Sequence, residues 1–151
     1  MRWVTRARPK TDRIACPWLI LRFIDPGAEI VYVRADEVLS YAGDHEARSF
    51  DAPGAEFTHR DGKCSFEVLV EAFAIKDPAV HRIAAIVHGA DIEGELDTTP
   101  QSAGLLAIAE GFREMERDDQ RSLALQLPVY DALYAWARSH ERPNGAPPPR
   151  D

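Results

Sequence analysis

The stretch Ile86-Val87-His88-Gly89-Ala90-Asp91 ends a segment that has the spacing of an amphipathic helix. Apolar residues at positions 80, 83, 84 and 87 follow the i, i+3, i+4, i+7 pattern of a buried helix face. His88 and Asp91 are three residues apart, so their side chains project from the same side of the helix end. An imidazole and a carboxylate on one face supply part of the ligand set of a transition-metal site.

The segment before this helix contains further candidate ligands. His59 lies in a loop, and Cys64 and Glu67 fall at the start of the helix that follows it. Loops held between rigid elements often carry functional residues. Nitrogen and oxygen donors favour iron or manganese, while zinc would fit as a catalytic ion with an open coordination position.

A short turn at Lys76-Asp77-Pro78 joins the two helices, and helices connected so closely pack as an antiparallel pair. The start of the first helix then lies beside the end of the second. The sequence therefore predicts one divalent transition-metal site, with His59, His88 and Asp91 as ligands and Glu67 as the candidate fourth ligand.

These residues also have ordinary structural interpretations. A protonated His88 near a helix end and Glu67 in a first helical turn both interact favourably with the helix dipole. Cys16 and Cys64 are candidate reactive thiols if they are exposed near a helix start, and inert small apolar residues if they are buried. For Cys16, burial against Trp18 is the favoured interpretation.

Composition indicates a soluble globular chain of one domain. The chain has 151 residues, 45% of them hydrophobic, and a net charge of −7. An acidic chain lacks the basic excess needed for direct nucleic-acid binding, and no apolar segment reaches the roughly 18 residues that span a bilayer. The N-terminus lacks the apolar core of a secretory signal, and two cysteines are too few for a disulfide framework. These features predict a cytoplasmic protein with reduced thiols.

A second group of functional candidates lies near the N-terminus, where a basic run surrounds the block Asp12–Trp18. Exposed amides at a helix start, combined with Arg6, Arg13 and Arg22, are suited to binding a small anion. In the structural alternative, Asp12 caps its own helix and the arginines pair with surface carboxylates. The sequence leaves both interpretations open.

Periodicity along the chain predicts an α+β fold in which helices dominate. A small N-terminal sheet of three short strands, followed by about four to five helices, is expected; the strands are Trp3–Arg6, Ile30–Arg34 and Arg48–Asp51. The helix from about Asp12 to Ile24 should begin irregularly because of Pro17, and Pro128 should open the last helix. One domain is predicted over residues 1–141, with a disordered Pro- and Gly-rich tail at 142–151.

Several short blocks, in order along nearly the whole chain, are similar to one known family. They are Trp3–Arg6, Asp12–Ile20, Arg22–Asp25, Phe57–His59, Cys64–Glu67, Ile86–His88 with Asp91, and Tyr130–Ala135. The blocks resemble the C-terminal domain of the ChrB-type chromate-resistance proteins, and Asp-Arg-x-x-Cys-Pro-Trp-Leu-Ile is the most specific of them. In longer ChrB proteins this domain follows a DNA-binding region and is associated with chromate-responsive control of a transporter operon.

The resemblance implies a role in chromate resistance or oxyanion response, and the chain does not include the DNA-binding region, in agreement with its acidic charge. Our first hypothesis is a cytoplasmic metal-binding domain whose open coordination position takes a small oxyanion or another small molecule. If the domain is an enzyme, its metal would supply redox or Lewis-acid chemistry. The second hypothesis is a non-catalytic oxyanion sensor that uses the N-terminal arginines. Neither hypothesis fixes the oligomeric state, and a homo-oligomer is left open.

Overall fold

The computed structural model describes residues 1–141 and Arg150. Its main elements are β1 (Arg2–Arg6), α1 (Asp12–Leu19), β2 (Glu29–Val33), α2 (Val38–Asp44), β3 (Arg48–Ser49), α3 (Ser65–Ala72), α4 (Pro78–Asp91), α5 (Ser102–Met115) and α6 (Asp119–His140). This order confirms the predicted α+β class with helices dominant. The predicted disorder of 142–151 concerns residues that, apart from Arg150, lie outside the described part of the chain. Among the described residues, no helix is long and apolar enough to cross a membrane.

The three strands form a parallel sheet in the order β2-β1-β3. Trp3 and Val4 of the central strand point to opposite faces and pack into two separate apolar clusters, so this strand is buried on both sides. Because all three strands run the same way, their carboxyl ends share one edge of the sheet. At this edge Arg6, which ends β1, and Arg13 of α1 both contact Asp51, which follows β3.

Helix α1 begins regularly at Asp12 and contains Pro17, so the prediction of an irregular helix start was wrong. A proline at this position removes the backbone hydrogen bond to the carbonyl of Arg13, four residues earlier. The Tyr32 hydroxyl of β2 donates to that carbonyl instead, at 2.7 Å. The irregularity falls at the other end, where residues Ile20–Ile24 form a π-helical turn. A partner from the neighbouring strand therefore stabilises a proline within the helix.

Helix α6 is one continuous helix with Pro128 inside it. The prediction that Pro128 opens a separate last helix was therefore wrong. Residues of its apolar face are buried both before the proline, at Leu123, and after it, at Tyr130 and Ala137. This face packs against α1 and α4, and burial along its whole length outweighs the one backbone hydrogen bond that the proline removes.

The predicted antiparallel pairing of α3 and α4 is confirmed by the contact between Glu67 in the first turn of α3 and His88 in the last turn of α4. The turn between the helices also follows the sequence pattern. Asp77 is the N-cap of α4, its side chain accepting a hydrogen bond from the Ala79 amide at 2.9 Å, and Pro78 is the first helical residue.

Gly89 allows α4 to approach the start of α5. A Cβ atom at this position would lie 2.3 Å from the Oγ and 2.8 Å from the Cβ of Ser102. Ser102 is fully buried and its hydroxyl donates to the Ile86 carbonyl at 3.0 Å, so its side chain has little room to move. The close contact between the two helices therefore requires a residue without a side chain.

We expect Gly89→Ala to lower the free energy of unfolding by about 1–3 kcal/mol, the usual result of overpacking a core. Gly104→Ala in α5 is the matched control, because nothing lies within 4 Å of its Cβ position. That control should be neutral or should stabilise by up to about 1 kcal/mol, since alanine favours a helix. Urea denaturation measures both variants, and equal stabilities would contradict the steric explanation.

Candidate metal centre

Asp12, the first residue of α1, holds the beginning of α3 through its carboxylate. The Ser65 amide donates to its Oδ2 at 2.7 Å and the Phe66 amide donates to its Oδ1 at 3.1 Å. The first amides of a helix have no partner within the helix, and a carboxylate beside them is stabilised by the helix dipole. Asp12 is only 1% exposed, so water cannot replace these hydrogen bonds. Asp12 thus caps α3, a distant helix, and not its own.

The imidazole of His59 reaches the same carboxylate from the loop between β3 and α3. Its Nε2 lies 3.0 Å from Asp91 Oδ2, 3.3 Å from Asp12 Oδ2 and 3.3 Å from Asp51 Oδ1. Ligand atoms bound to one ion at about 2.1 Å lie roughly 3.0–3.4 Å from one another in octahedral and tetrahedral sites. Asp12, His59 and Asp91 therefore have the spacing of a metal-ligand set. The His59 side chain is 43% exposed, which leaves the set open to solvent on one side.

Asp51 supports this set from its edge. The Ser65 hydroxyl donates to its Oδ1 at 2.7 Å, and its Oδ2 lies 3.4 Å from guanidinium nitrogens of Arg6 and Arg13. Burial acts to raise the pKa of Asp51, but hydrogen bonds from His59 and Ser65 and the charges of the two arginines hold it below its ordinary value. Asp51 is therefore an ionised carboxylate that orients both His59 and the start of α3.

The pKa values of His59 and Asp12 reflect how closely the charges are placed. Hydrogen bonds to Asp12, Asp51 and Asp91 raise the pKa of His59 to about 12. Burial raises the pKa of Asp12 to about 7, against the lowering effect of the hydrogen bond with His59. A metal ligand must be deprotonated, so an ion bound here takes the place of the imidazole proton. A proton and a metal ion are thus alternative partners of these carboxylates.

A second cluster, formed by Cys64, Glu67 and His88, lies across the antiparallel helix pair. Glu67 Oε1 accepts a hydrogen bond from the Cys64 amide at 3.0 Å, as part of a capping box at the start of α3. The same oxygen lies 2.5 Å from Nδ1 of His88 at the end of α4. One ligand atom from each of the three residues lies within 4.8 Å of the others.

The structure divides the four ligands predicted from the sequence between these two clusters. His59 and Asp91 meet in the first, and Glu67 and His88 meet in the second. His88 and Asp91 project from one face of α4, as predicted, but they contact different partners. The start of α3 separates the partners, because its amides bind one carboxylate of the first cluster while its first turn faces α4.

Asp12 is the ligand candidate that the sequence interpretation missed. An aspartate at a helix start ordinarily indicates a cap, and no local pattern reports that it lies beside His59, which is 47 residues away. The one available signal was its place in the Asp-Arg-x-x-Cys-Pro-Trp block, the most specific part of the family resemblance. Asp51 carried a weaker signal still, because an aspartate before Pro-Gly usually indicates a turn.

The three arginines predicted to bind an anion contact two different carboxylates. Arg6 and Arg13 form ion pairs with Asp51. Arg22 forms a bidentate ion pair with Asp131 of α6, and both nitrogen–oxygen distances are 3.0 Å. Each guanidinium group therefore already has a negatively charged partner. An incoming anion would have to compete with these carboxylates.

Both cysteines are buried. The Cys16 Sγ lies 3.5 Å from Asp12 Oδ1 in the core, and Cys64 is the N-cap of α3. Burial raises the pKa of each thiol, and the negative charge of Asp12 raises it further. These surroundings differ from the exposed, low-pKa environment of a thiol that reacts readily.

Comparison with known proteins identifies the family. A family model described as "ChrB, C-terminal domain" matches residues 3–137. The chain belongs to this family. The ChrB protein of Cupriavidus metallidurans is 37% identical to it over 135 residues, which cover 87% of this chain and 39% of that relative. The chain thus spans about two fifths of the length of that relative. No solved structure matches the chain.

We expect Asp12→Ala to lower the free energy of unfolding of the metal-free ChrB domain by roughly 1–3 kcal/mol, because buried amides at the start of α3 lose their acceptor. Asp12→Asn keeps an acceptor oxygen and should destabilise less. The control is Asp36→Ala, which removes an exposed carboxylate paired with Arg34 and should change stability by about 0.5 kcal/mol or less. Urea denaturation compares the three, and an Asp12→Ala variant as stable as Asp36→Ala would show that Asp12 does not hold α3.

Proposed function

We propose that this ChrB C-terminal domain binds one divalent transition-metal ion through Asp12, His59 and Asp91. The observation that carries the proposal is the position of His59 Nε2, 3.0 Å from Asp91 Oδ2 and 3.3 Å from Asp12 Oδ2. Carboxylates gathered around one imidazole, one of them fully buried, need a positive charge among them, which the imidazole proton supplies when no ion is bound. A divalent ion at this point would meet that need and bind all three side chains.

The donor set supports iron or manganese as the ion. Two carboxylates and one imidazole suit Fe²⁺ or Mn²⁺, with Zn²⁺ as a further candidate. The two carboxylates would also balance a divalent charge, so the ion and its two carboxylate ligands together would carry no net charge. The Ser65 and Phe66 amides hold Asp12 in one orientation, which is the outer support that metal-binding carboxylates usually have.

A cavity of about 460 Å³ adjoins His59 and Asp91 and supports access by a small ligand. Arg60 and Lys63 line this cavity together with two glutamates, and Lys63 is already paired with Glu71, so an anion there would compete with carboxylates. We propose that a small oxyanion or water occupies the coordination position that faces the cavity. The metal would supply Lewis-acid or redox chemistry to the oxyanion or water bound at this position. Membership in the ChrB-type chromate-resistance family supports chromate or a related oxyanion as the ligand.

We further propose that the domain acts in the chromate or oxyanion response of the cytoplasm, without binding nucleic acid itself. The net charge of −7 supports the lack of direct nucleic-acid binding. The two unpaired cysteines are consistent with a reducing compartment.

The alternative function is a non-catalytic oxyanion sensor built on the N-terminal arginines. The side chains of Arg6 and Arg22 are 35% and 42% exposed, which leaves both within reach of an anion in solvent. Calorimetry separates the two functions. Chromate or sulfate binding that survives chelator treatment favours the sensor, whereas binding that requires added Mn²⁺ favours the metal site.

We expect Mn²⁺ to bind to the protein purified without a polyhistidine tag. His59→Ala should weaken this binding by at least about 100-fold, because loss of a direct ligand should cost at least as much as the roughly 10- to 100-fold loss that removal of an outer-shell partner causes. His45→Ala is the matched control, because this exposed histidine contacts Tyr41 in α2 and belongs to neither cluster. Its Mn²⁺ affinity should equal that of the wild type. Isothermal titration calorimetry gives the affinity, and elemental analysis identifies metal that copurifies.

Two results would rule the proposal out. One is a wild-type protein that carries no metal and gains no thermal stability with iron, manganese or zinc. The other is a His59→Ala variant that keeps the wild-type Mn²⁺ affinity, since the ion would then lie elsewhere.

A further inference from the structure

We infer that Cys64, Glu67 and His88 form a second metal site, which takes a thiophilic ion such as Zn²⁺ and is separate from the Asp12–His59–Asp91 site. The inference goes beyond the proposed function, because it depends neither on the first site nor on an oxyanion. The domain would then have two neighbouring metal sites with different donor atoms.

The pairing of α3 with α4 holds the three side chains together. Cys64 and Glu67 lie at the start of α3 and His88 lies in the last turn of α4, with a ligand atom of each within 4.8 Å of the others. Cys64 is fully buried, and the side chains of Glu67 and His88 are 26% and 18% exposed. Ligands on two packed helices are held in place more firmly than ligands on loops.

The donor atoms of this cluster differ from those of the first. A thiolate, an imidazole and a carboxylate suit zinc, which then keeps a fourth position for water or another ligand. One thiolate and one carboxylate balance the charge of a divalent ion, and on binding the Cys64 thiol releases its proton to the solvent. Because the first set lacks sulfur, the two sites should prefer different ions.

Helix capping explains only part of the choice of cysteine at the start of α3, where the Cys64 side chain accepts from the Glu67 amide in the capping box. Oxygen atoms of serine, threonine, aspartate and asparagine are the preferred N-cap acceptors, and sulfur is a weak acceptor. A serine at residue 64 would cap the helix better than Cys64 does. Because capping alone favours serine, a thiol beside Glu67 and His88 indicates a second role, as a metal ligand.

The second cluster adjoins a cavity through one of its residues, Glu67. Glu67 lines a cavity of about 430 Å³ formed by α3 and α4, together with Lys63 and His81. The first cluster faces a different cavity, at His59 and Asp91. Lys63 lines both cavities, so the two openings are neighbours on the surface.

Cobalt(II) tests the inference, because a thiolate bound to Co²⁺ gives a near-ultraviolet charge-transfer band that oxygen and nitrogen ligands do not give. The untagged full chain should bind two equivalents of Co²⁺, one of which produces the band. Cys64→Ser should remove the band and one equivalent, and α3 should still form because serine is a good N-cap. Cys16→Ala is the matched control, since it removes the other buried thiol and should leave the band intact.

The His59→Ala variant separates this inference from the proposed function. It should lose the other equivalent of Co²⁺ and retain the band. If it instead binds two equivalents while Cys64→Ser still loses the band, the proposed function fails and the second site stands. The second site is overturned if the wild type shows no band, if the band persists in Cys64→Ser, or if Cys16→Ala abolishes it.

Discussion

The buried carboxylate of Asp12 is the group on which the rest of this arrangement depends. It accepts hydrogen bonds from the first amides of α3 and lies beside the imidazole of His59. Removing a charged carboxylate from water is unfavourable unless it gains partners, so the helix start and the imidazole must both come to it. Once α3 is held at this point, the side chains of its first turn, including Glu67, face the end of α4. One contact therefore determines the position of both clusters.

The parallel sheet explains why Asp12 and Asp51 lie on the same side of the molecule. The segments that carry them leave the carboxyl ends of β1 and β3, which a parallel arrangement puts at a common edge. Functional sites of sheets with helical crossovers commonly lie at this edge. The cationic side chains of Arg6 and Arg13 at the same edge keep Asp51 ionised and oriented. Charge balance at the edge thus comes from side chains far apart in sequence.

Part of the site could be predicted because it depends on short-range geometry. The spacing of His88 and Asp91 put both on one face of α4, and the short turn at Asp77-Pro78 required α3 and α4 to be antiparallel. These two constraints are sufficient to predict that Glu67 lies near His88. Spacing and turn length do not determine which side chain at the start of α3 contacts which side chain at the end of α4. The assignment of all four residues to one ion required that information, and the structure shows two clusters instead.

The sequence alone predicted the helix and strand types, the N-cap of α4 and the apolar faces, because each depends on neighbours within about one helical turn. Whether a helix continues through each of the two prolines depended on tertiary contacts. Pro17 is accommodated because the Tyr32 hydroxyl satisfies the carbonyl that it frees, and Pro128 because one face of α6 is buried both before and after the proline. The position of Asp12 beside His59 was decided in the same way. A buried charge is satisfied by whichever donors the fold brings to it, and those donors have no fixed spacing in the sequence.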